Sequence, residues 1–323
     1  MDAPVGLVRS LLPVTGHVSA RIPAGHPSVE ILGTERMGSG VVVDAGGLVL
    51  TVNYVVMGAK KLRVTLPEGR PASAEIVAQD FENGLALLRV RASDLPAASL
   101  GSSEALERGA PVFAIGSTSP RERRVAAGVV TDLGEFDAYW EYLLDRGIVS
   151  SATNPGFGGG PLFDMRGRVV GVVSLNLNEI GRQSFAIPIE YYTMHRAEFL
   201  RFGRVVSRPR RAWIGVFPQP VEEGLVVAGL VPRGPGARGG LREGDLILRV
   251  DQEEVETRPA LYAALWRHRP GERVVFDVMR DNRTHRVEVV GQDLAEFYGP
   301  ERDRSGAPDD EGEGTEGGPG RRR

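Results

Sequence analysis

The sequence predicts a mainly β protein, with antiparallel sheets closed as barrels or stacked as a sandwich, followed by a smaller α+β unit. Three observations carry this. Short apolar runs recur from about Met37 to Pro188, separated by glycine turns and without long helical patterns between them. The chain holds 42 glycines and 22 prolines, a content that favours tight turns over a helical bundle. At Trp213 the pattern changes, and strands then alternate with one clearly signalled helix. With 323 residues, 41% apolar and 25% charged, there is material for a sizeable core and, on ordinary domain sizes, for about two domains.

In chain order, Gly40–Asp44 and Leu48–Val52 flank the turn Ala45-Gly46-Gly47 and read as a hairpin. Leu62–Leu66, Leu85–Val90, Val112–Ile115 and Val169–Val173 read as further strands. A helical stretch over roughly Glu190–Phe202 leads into an Arg/Pro-rich linker, Ser207-Arg208-Pro209-Arg210-Arg211. Beyond it, Leu225–Val227 and Leu246–Val250 are strands, and Thr257 with Pro259 marks a helix start running to about His268. Strands Arg273–Met279 and Thr284–Val290 are joined by the turn Asp281-Asn282. The acidic, glycine-rich stretch 299–323 has almost nothing apolar and is expected to be disordered.

The formal charge is −3, which argues against a surface built for nucleic acid. Lysine occurs only at Lys60 and Lys61, so 37 arginines supply the other positive charges. With no cysteine, disulfides, thiolate metal sites and a cysteine nucleophile are excluded. No basic n-region followed by an apolar run opens the chain, and no uncharged apolar stretch is long enough to span a bilayer. The expectation from the chain as written is a soluble, cytoplasmic protein needing no cofactor or metal.

The segment Asn154-Pro155-Gly156-Phe157-Gly158-Gly159-Gly160-Pro161-Leu162 is a glycine-dense loop entering a strand. Its backbone N–H groups can converge as an oxyanion-binding nest, or the loop can be a tight barrel turn. It resembles the nucleophile loop of HtrA-like, trypsin-like serine proteases, Asn-Pro-Gly-Asn-Ser-Gly-Gly-Pro-Leu, with Gly158 in the nucleophile's place. The resemblance extends upstream. Gly38–Asp44 is similar to the family's first barrel hairpin. Leu50-Thr51-Val52-Asn53-Tyr54-Val55-Val56 resembles Leu-Thr-Asn-Asn-His-Val-Val, with Tyr54 in the place of the histidine base. Asp80–Leu88 resembles Asp-Pro-Glu-Thr-Asp-Leu-Ala-Leu-Leu, with Gly84 in the place of the orienting aspartate. Phe185-Ala186-Ile187-Pro188 matches the phrase that closes the second barrel.

The resemblance implies a chymotrypsin/trypsin-like double β-barrel over 36–190, after an N-terminal segment 1–35 and before a helix and basic linker at 191–211. It also implies that the chemistry is missing. A glycine cannot attack a carbonyl, a phenol is a poor base at neutral pH, and Gly84 cannot orient an imidazole. In a protease studied by mutation, loss of the nucleophile or the base alone costs about a million-fold in turnover. What survives by resemblance is a vestigial oxyanion pocket at the amides of Gly156 and Gly158, beside a cleft that Tyr54 and Phe157 partly fill. None of His17, His26, His195, His268 and His285 lies near a motif position, and Ser150 and Ser151 precede the loop. The aromatic insertion Glu135–Tyr142 is expected to cover the cleft or to face a partner.

Residues 212–298 resemble a bacterial PDZ domain, the C-terminal module of HtrA proteins. Arg211-Ala212-Trp213-Ile214-Gly215-Val216 is similar to its carboxylate-binding loop, and Val231–Leu248 follows its Pro-x-Ser-Pro-Ala-x-x-Ala-Gly-Leu-x-x-Gly-Asp-x-Ile-Leu pattern. The resemblance implies peptide binding by β-augmentation, with Trp213, Ile214, Gly215 and Val216 at the peptide's end. Leu261, Leu265 and His268 share one helix face that either lines the groove or packs in the core; core is the expectation for Leu261. The reading as a whole is an HtrA-like pseudoprotease, a bacterial protein-quality-control component. It would bind peptides, unfolded chains or protein C-termini, or regulate an active HtrA relative. The alternatives are a weakly active serine endopeptidase with a non-standard nucleophile, and a purely structural PDZ assembly protein. Homo-oligomers are an open expectation. Trimerisation through N-terminal aromatics is disfavoured, because no Phe, Tyr or Trp precedes Tyr54. By resemblance the compartment is the cell envelope.

Overall fold

A computed structural model describes residues 2–299 apart from 68, 70, 93 and 178–180; the acidic tail's residues 300–323 lie outside the described residues. Two closed six-stranded barrels are followed by a sheet-and-helix domain. The first barrel runs β1 (Thr15–Arg21), β2 (Glu35–Asp44), β3 (Leu48–Val52), β4 (Lys61–Thr65), β5 (Ala72–Asp80) and β6 (Leu85–Val90), in spatial order β1-β2-β3-β6-β5-β4. Strands β3 and β6 read as near-continuous apolar runs because they are buried almost throughout. The first strand comes from the segment that the sequence places ahead of the barrel. Its Gly16, His17 and Ser19 look like loop residues, yet the strand pairs with both β2 and β4 and closes the barrel.

The second barrel comprises β7 (Pro111–Ser117), β8 (Arg123–Ala138), β9 (Tyr142–Ser150), β10 (Pro161–Asp164), β11 (Val169–Leu177) and β12 (Gln183–Pro188), in order β10-β11-β12-β9-β8-β7. Phe136 stacks on Phe185 with ring centroids 3.7 Å apart. Strand β8 is 16 residues long. The expected insertion Glu135–Tyr142 is therefore the far end of the β8–β9 hairpin, with Ala138 paired to Tyr142 across the turn. The single helix expected over Glu190–Phe202 is two short ones, Glu190–Thr193 and Arg196–Phe202, broken at Met194 and His195. Tyr192 and Phe199 each bury against the barrels, and the break lets both do so.

The C-terminal domain orders β13 (Val216–Val221), β14 (Gly224–Leu230), β15 (Leu246–Val250), β17 (Arg273–Arg280) and β18 (Arg283–Val290), with β16 (Glu253–Glu254) on β15. Asp281 and Asn282 have φ of 50° and 59°, as a two-residue hairpin turn requires. Thr257 Oγ1 accepts from the Ala260 amide at 3.3 Å and caps the helix Arg258–Leu265. Leu261 and Leu265 are both fully buried with Ile214, Val216 and Phe276. After this domain a short helix, Leu294–Tyr298, is capped by Asp293, and its Phe297 and Tyr298 pack on Trp213 at 4.8 and 5.6 Å.

Candidate functional site

Tyr54 sits in the helical turn Asn53–Val56 directly after β3. Its hydroxyl donates to the Ser174 carbonyl at 2.9 Å, and burial pushes the phenol up to about 12. Gly84 lies beside it: its carbonyl accepts from the Asn53 amide at 2.7 Å, and its φ of +77° suits glycine. A Cβ on Gly84 would meet Ile187 and Tyr142 only at ordinary contact, 3.5 Å. Gly158 closes the group. A Cβ there would fall 2.1 Å from the Tyr54 hydroxyl oxygen and 2.7 Å from the Ser174 carbonyl oxygen. The fold therefore gathers all three positions, and the Tyr54 phenol occupies the volume that a side chain at Gly158 would need.

The loop itself is pinned by backbone bonds. Gly158 O accepts from Ser39 N at 2.7 Å, Phe157 N donates to Ser117 O at 2.9 Å, and Gly159 N to Val173 O at 2.7 Å. Gly159 has φ of +100°, and a Cβ would lie 2.1 Å from Ser39 O, so only glycine fits. The Gly156 amide, expected in the vestigial oxyanion pocket, instead donates to Asn154 Oδ1 at 3.2 Å. Phe157 turns toward His17, ring centroids 6.0 Å apart.

That contact corrects one expectation. His17 does lie near a motif position: its Nδ1 is 3.0 Å from Ser117 Oγ, and Ser117 is linked through Ser39 to the Phe157 carbonyl. Sequence separation hid the pair, because β1 meets β7 where the two barrels pack together. His17 and Ser117 are 3% and 0% exposed, so the pair is shut off from any substrate. Burial first, and then the Arg123 guanidinium, hold the His17 ring below its ordinary pKa, as suits a neutral hydrogen-bonding group.

The peptide-loop residues hold a second carboxylate-related feature. The amides of Ile214, Gly215 and Val216 converge, as the PDZ resemblance implies, and all three donate to the carboxylate of Glu141 at 3.1, 2.5 and 2.9 Å. Trp213 exchanges backbone hydrogen bonds with Gln292, and its ring packs in the aromatic cluster. Leu265 is core, and His268 Nε2 meets Asp251 Oδ2 at 2.8 Å. Sequence reading missed Glu141. Its one signal was an acid set among Phe136, Tyr139, Trp140 and Tyr142.

Burial outweighs the three backbone donors and Arg211, and raises the Glu141 carboxyl to about 7. The groups facing it are Arg211, Tyr262 and Tyr298, with the Arg258–Asp137 pair next to Tyr262. An undocked Glu141 would titrate near its ordinary 4.5. The docked arrangement is thus most favoured below that value and weakens as pH rises toward 7, by at most about tenfold per pH unit. Amide exchange at residues 214–216, normalised for its intrinsic pH dependence, is expected to be about tenfold or more faster at pH 7.5 than at pH 5.5. Equal protection at both values would remove the burial argument.

The relatives agree with this architecture. Residues 38–172 match the trypsin-like peptidase domain family, and residues 212–290 match the PDZ domain family. This chain is an HtrA-like protein. Over 272 residues the HtrA-like chain is 36% identical to a probable periplasmic serine endoprotease DegP-like of Halomonas elongata, covering 79% of this chain and 56% of that one. A protein of the same description from Pseudomonas savastanoi pv. phaseolicola is 32% identical, covering 84% and 60%. The HtrA-like chain thus spans little more than half the length of these curated relatives. Among solved structures, the HtrA-type protease AlgW with a tripeptide is 27% identical with a TM-score of 0.56, covering 90% of this chain and 96% of that one. The serine endoprotease from Yersinia pestis is 25% identical with a TM-score of 0.54, covering 90% and 98%.

Proposed function

We propose that this HtrA-like protein is a pseudoprotease that binds protein C-termini or extended peptides through its PDZ domain without cleaving them. The observation that carries the reading is the Tyr54 hydroxyl 2.1 Å from where a Gly158 Cβ would stand. Position 158 offers no nucleophilic atom, and the phenol is both a weak base and a plug in the nucleophile's place. The three converging amides of Ile214, Gly215 and Val216 support the binding half, since they already hold a carboxylate. Relatives are named periplasmic, which supports the cell envelope as its compartment. Among the described residues no helix is long and apolar enough to cross a membrane. Regulation of an active HtrA relative is the partner role that would follow.

A second reading, a weak hydrolase with a relocated nucleophile, draws on the His17–Ser117 hydrogen bond of 3.0 Å. Burial of both residues weighs against it. The deciding experiment incubates the purified chain with casein and with a fluorophosphonate probe. No cleavage and no adduct are expected. An adduct at Ser117, or at any other Ser or Thr, would overturn the pseudoprotease reading.

A further inference from the structure

Glu141 is the third residue of the loop Tyr139-Trp140-Glu141, which joins β8 to β9 with Ala138 and Tyr142 paired beneath it. It has φ of 57°, a left-handed conformation that such hairpin loops usually give to glycine or asparagine. Its residue is 5% exposed, and among the described residues no cation lies within ion-pair distance of its carboxylate. A buried carboxylate is retained at cost unless donors replace its water. Here Oε1 accepts from Gly215 N and Val216 N, and Oε2 from Ile214 N. That is the donor set that a peptide's terminal carboxylate takes when the peptide adds to a sheet edge.

The rest of the hairpin tip lies where such a peptide would run. The edge strand β13 presents Phe217 to the ring of Tyr139 at 5.8 Å. On the helix Arg258–Leu265, the Tyr262 hydroxyl donates to Ala138 O at 2.5 Å and accepts from Glu141 N at 3.2 Å. Arg258 pairs with Asp137. Leu143 packs against the core of the domain. The tip thus touches both elements that flank the groove.

We propose that Glu141 is a tethered ligand of the PDZ domain, so that a free chain-terminal carboxylate enters the groove only by displacing the β8–β9 hairpin. The identity of the displacing ligand rests on the peptide-binding reading above; the tethered carboxylate rests on its own contacts. Occupancy by the tether lowers the apparent affinity for peptides by the fraction of molecules that are open. It also makes the barrel domain release a surface, Tyr139-Trp140-Glu141, whenever a peptide is captured.

The test uses the full chain with Glu141→Asn and Glu141→Gly; both residues accept the φ of 57°, and asparagine is one methylene shorter than the side chain that meets the three amides. Two quantities are read: amide exchange at residues 214–216, and binding of a randomised decapeptide pool ending in Val, Leu or Phe, as free acid or as C-terminal amide. In both variants exchange at these amides is expected to rise about tenfold or more, with the free-acid pool bound about tenfold more tightly than by the natural chain and the amide pool not retained. Unchanged exchange, or equal measurable affinity of natural and variant chains for the free-acid pool, overturns the proposal. Raised exchange with no retention by any chain upholds the tethered carboxylate and sinks the peptide-binding reading instead.

Discussion

Gly158→Ser in the natural chain is expected to destabilise the barrels by about 2–4 kcal/mol, and most of that loss is expected to vanish when Tyr54→His is added. The introduced Cβ would lie 2.1 Å from the phenol oxygen, so Tyr54 must leave its place. Leaving breaks its 2.9 Å bond to the Ser174 carbonyl and strands two half-buried polar groups. A double-mutant cycle read by denaturant unfolding should give a coupling of about 1–3 kcal/mol between the two sites. The 2.7 Å approach to Ser174 O remains in both backgrounds, so the rescue is incomplete. Additive effects would show that Tyr54 does not occupy the volume a side chain at position 158 needs. Adding Gly84→Asp completes a Ser-His-Asp set; aspartate tolerates the φ of +77° better than most residues. Fluorophosphonate labelling at position 158 is expected in this triple variant and not in Gly158→Ser alone, because loss of the base costs about a million-fold in the protease where it was measured.

Legibility followed burial pattern. Strands β3 and β6 were readable because every position except the exposed Arg89 is buried and had to be apolar or small. The barrel beginning at Thr15 was not, because His17, Ser19 and Gly16 satisfy themselves across the strand pairings rather than by hydrophobicity. Gly16 is there for space: a Cβ would sit 2.9 Å from Val64 Cγ1. The three cleft positions were legible because flanking motifs set their register, but the phenol's reach into the space at Gly158 is a tertiary fact with no periodicity. The same holds for Glu141. Its sequence neighbours announce a packed aromatic tip, while its partners lie over 70 residues away in another domain. Leu265 fell to the core because a helix of eight residues covering a small sheet needs both Leu261 and Leu265 to bury its inner face.

The C-terminal domain is expected to be hostage to one ion pair. Asp245, in the Gly-Asp step of the PDZ-like pattern, is fully buried and accepts from Arg280 Nε and Nη2, both at 2.6 Å. Its second oxygen also accepts from the Arg242 amide at 2.8 Å, and Arg280 reaches Gly240 O at 2.9 Å. Among the described residues Arg280 supplies the one countercharge and two of the three donors that offset the carboxylate's lost hydration, so Arg280→Ala leaves an unpaired charge in the core and should cost about 3–5 kcal/mol. Arg280→Lys should recover part of this, since a single ammonium replaces a bidentate fork. The paired change Asp245→Leu with Arg280→Met should cost less than Arg280→Ala, because both charges leave together. Calorimetry would show it: the expected order of melting temperature is natural chain, double variant, Arg280→Lys, Arg280→Ala. If Arg280→Ala melted with the natural chain, the pair would be dispensable. The carboxylate loop would then have to draw its rigidity from the core around Ile214 and Val216 alone.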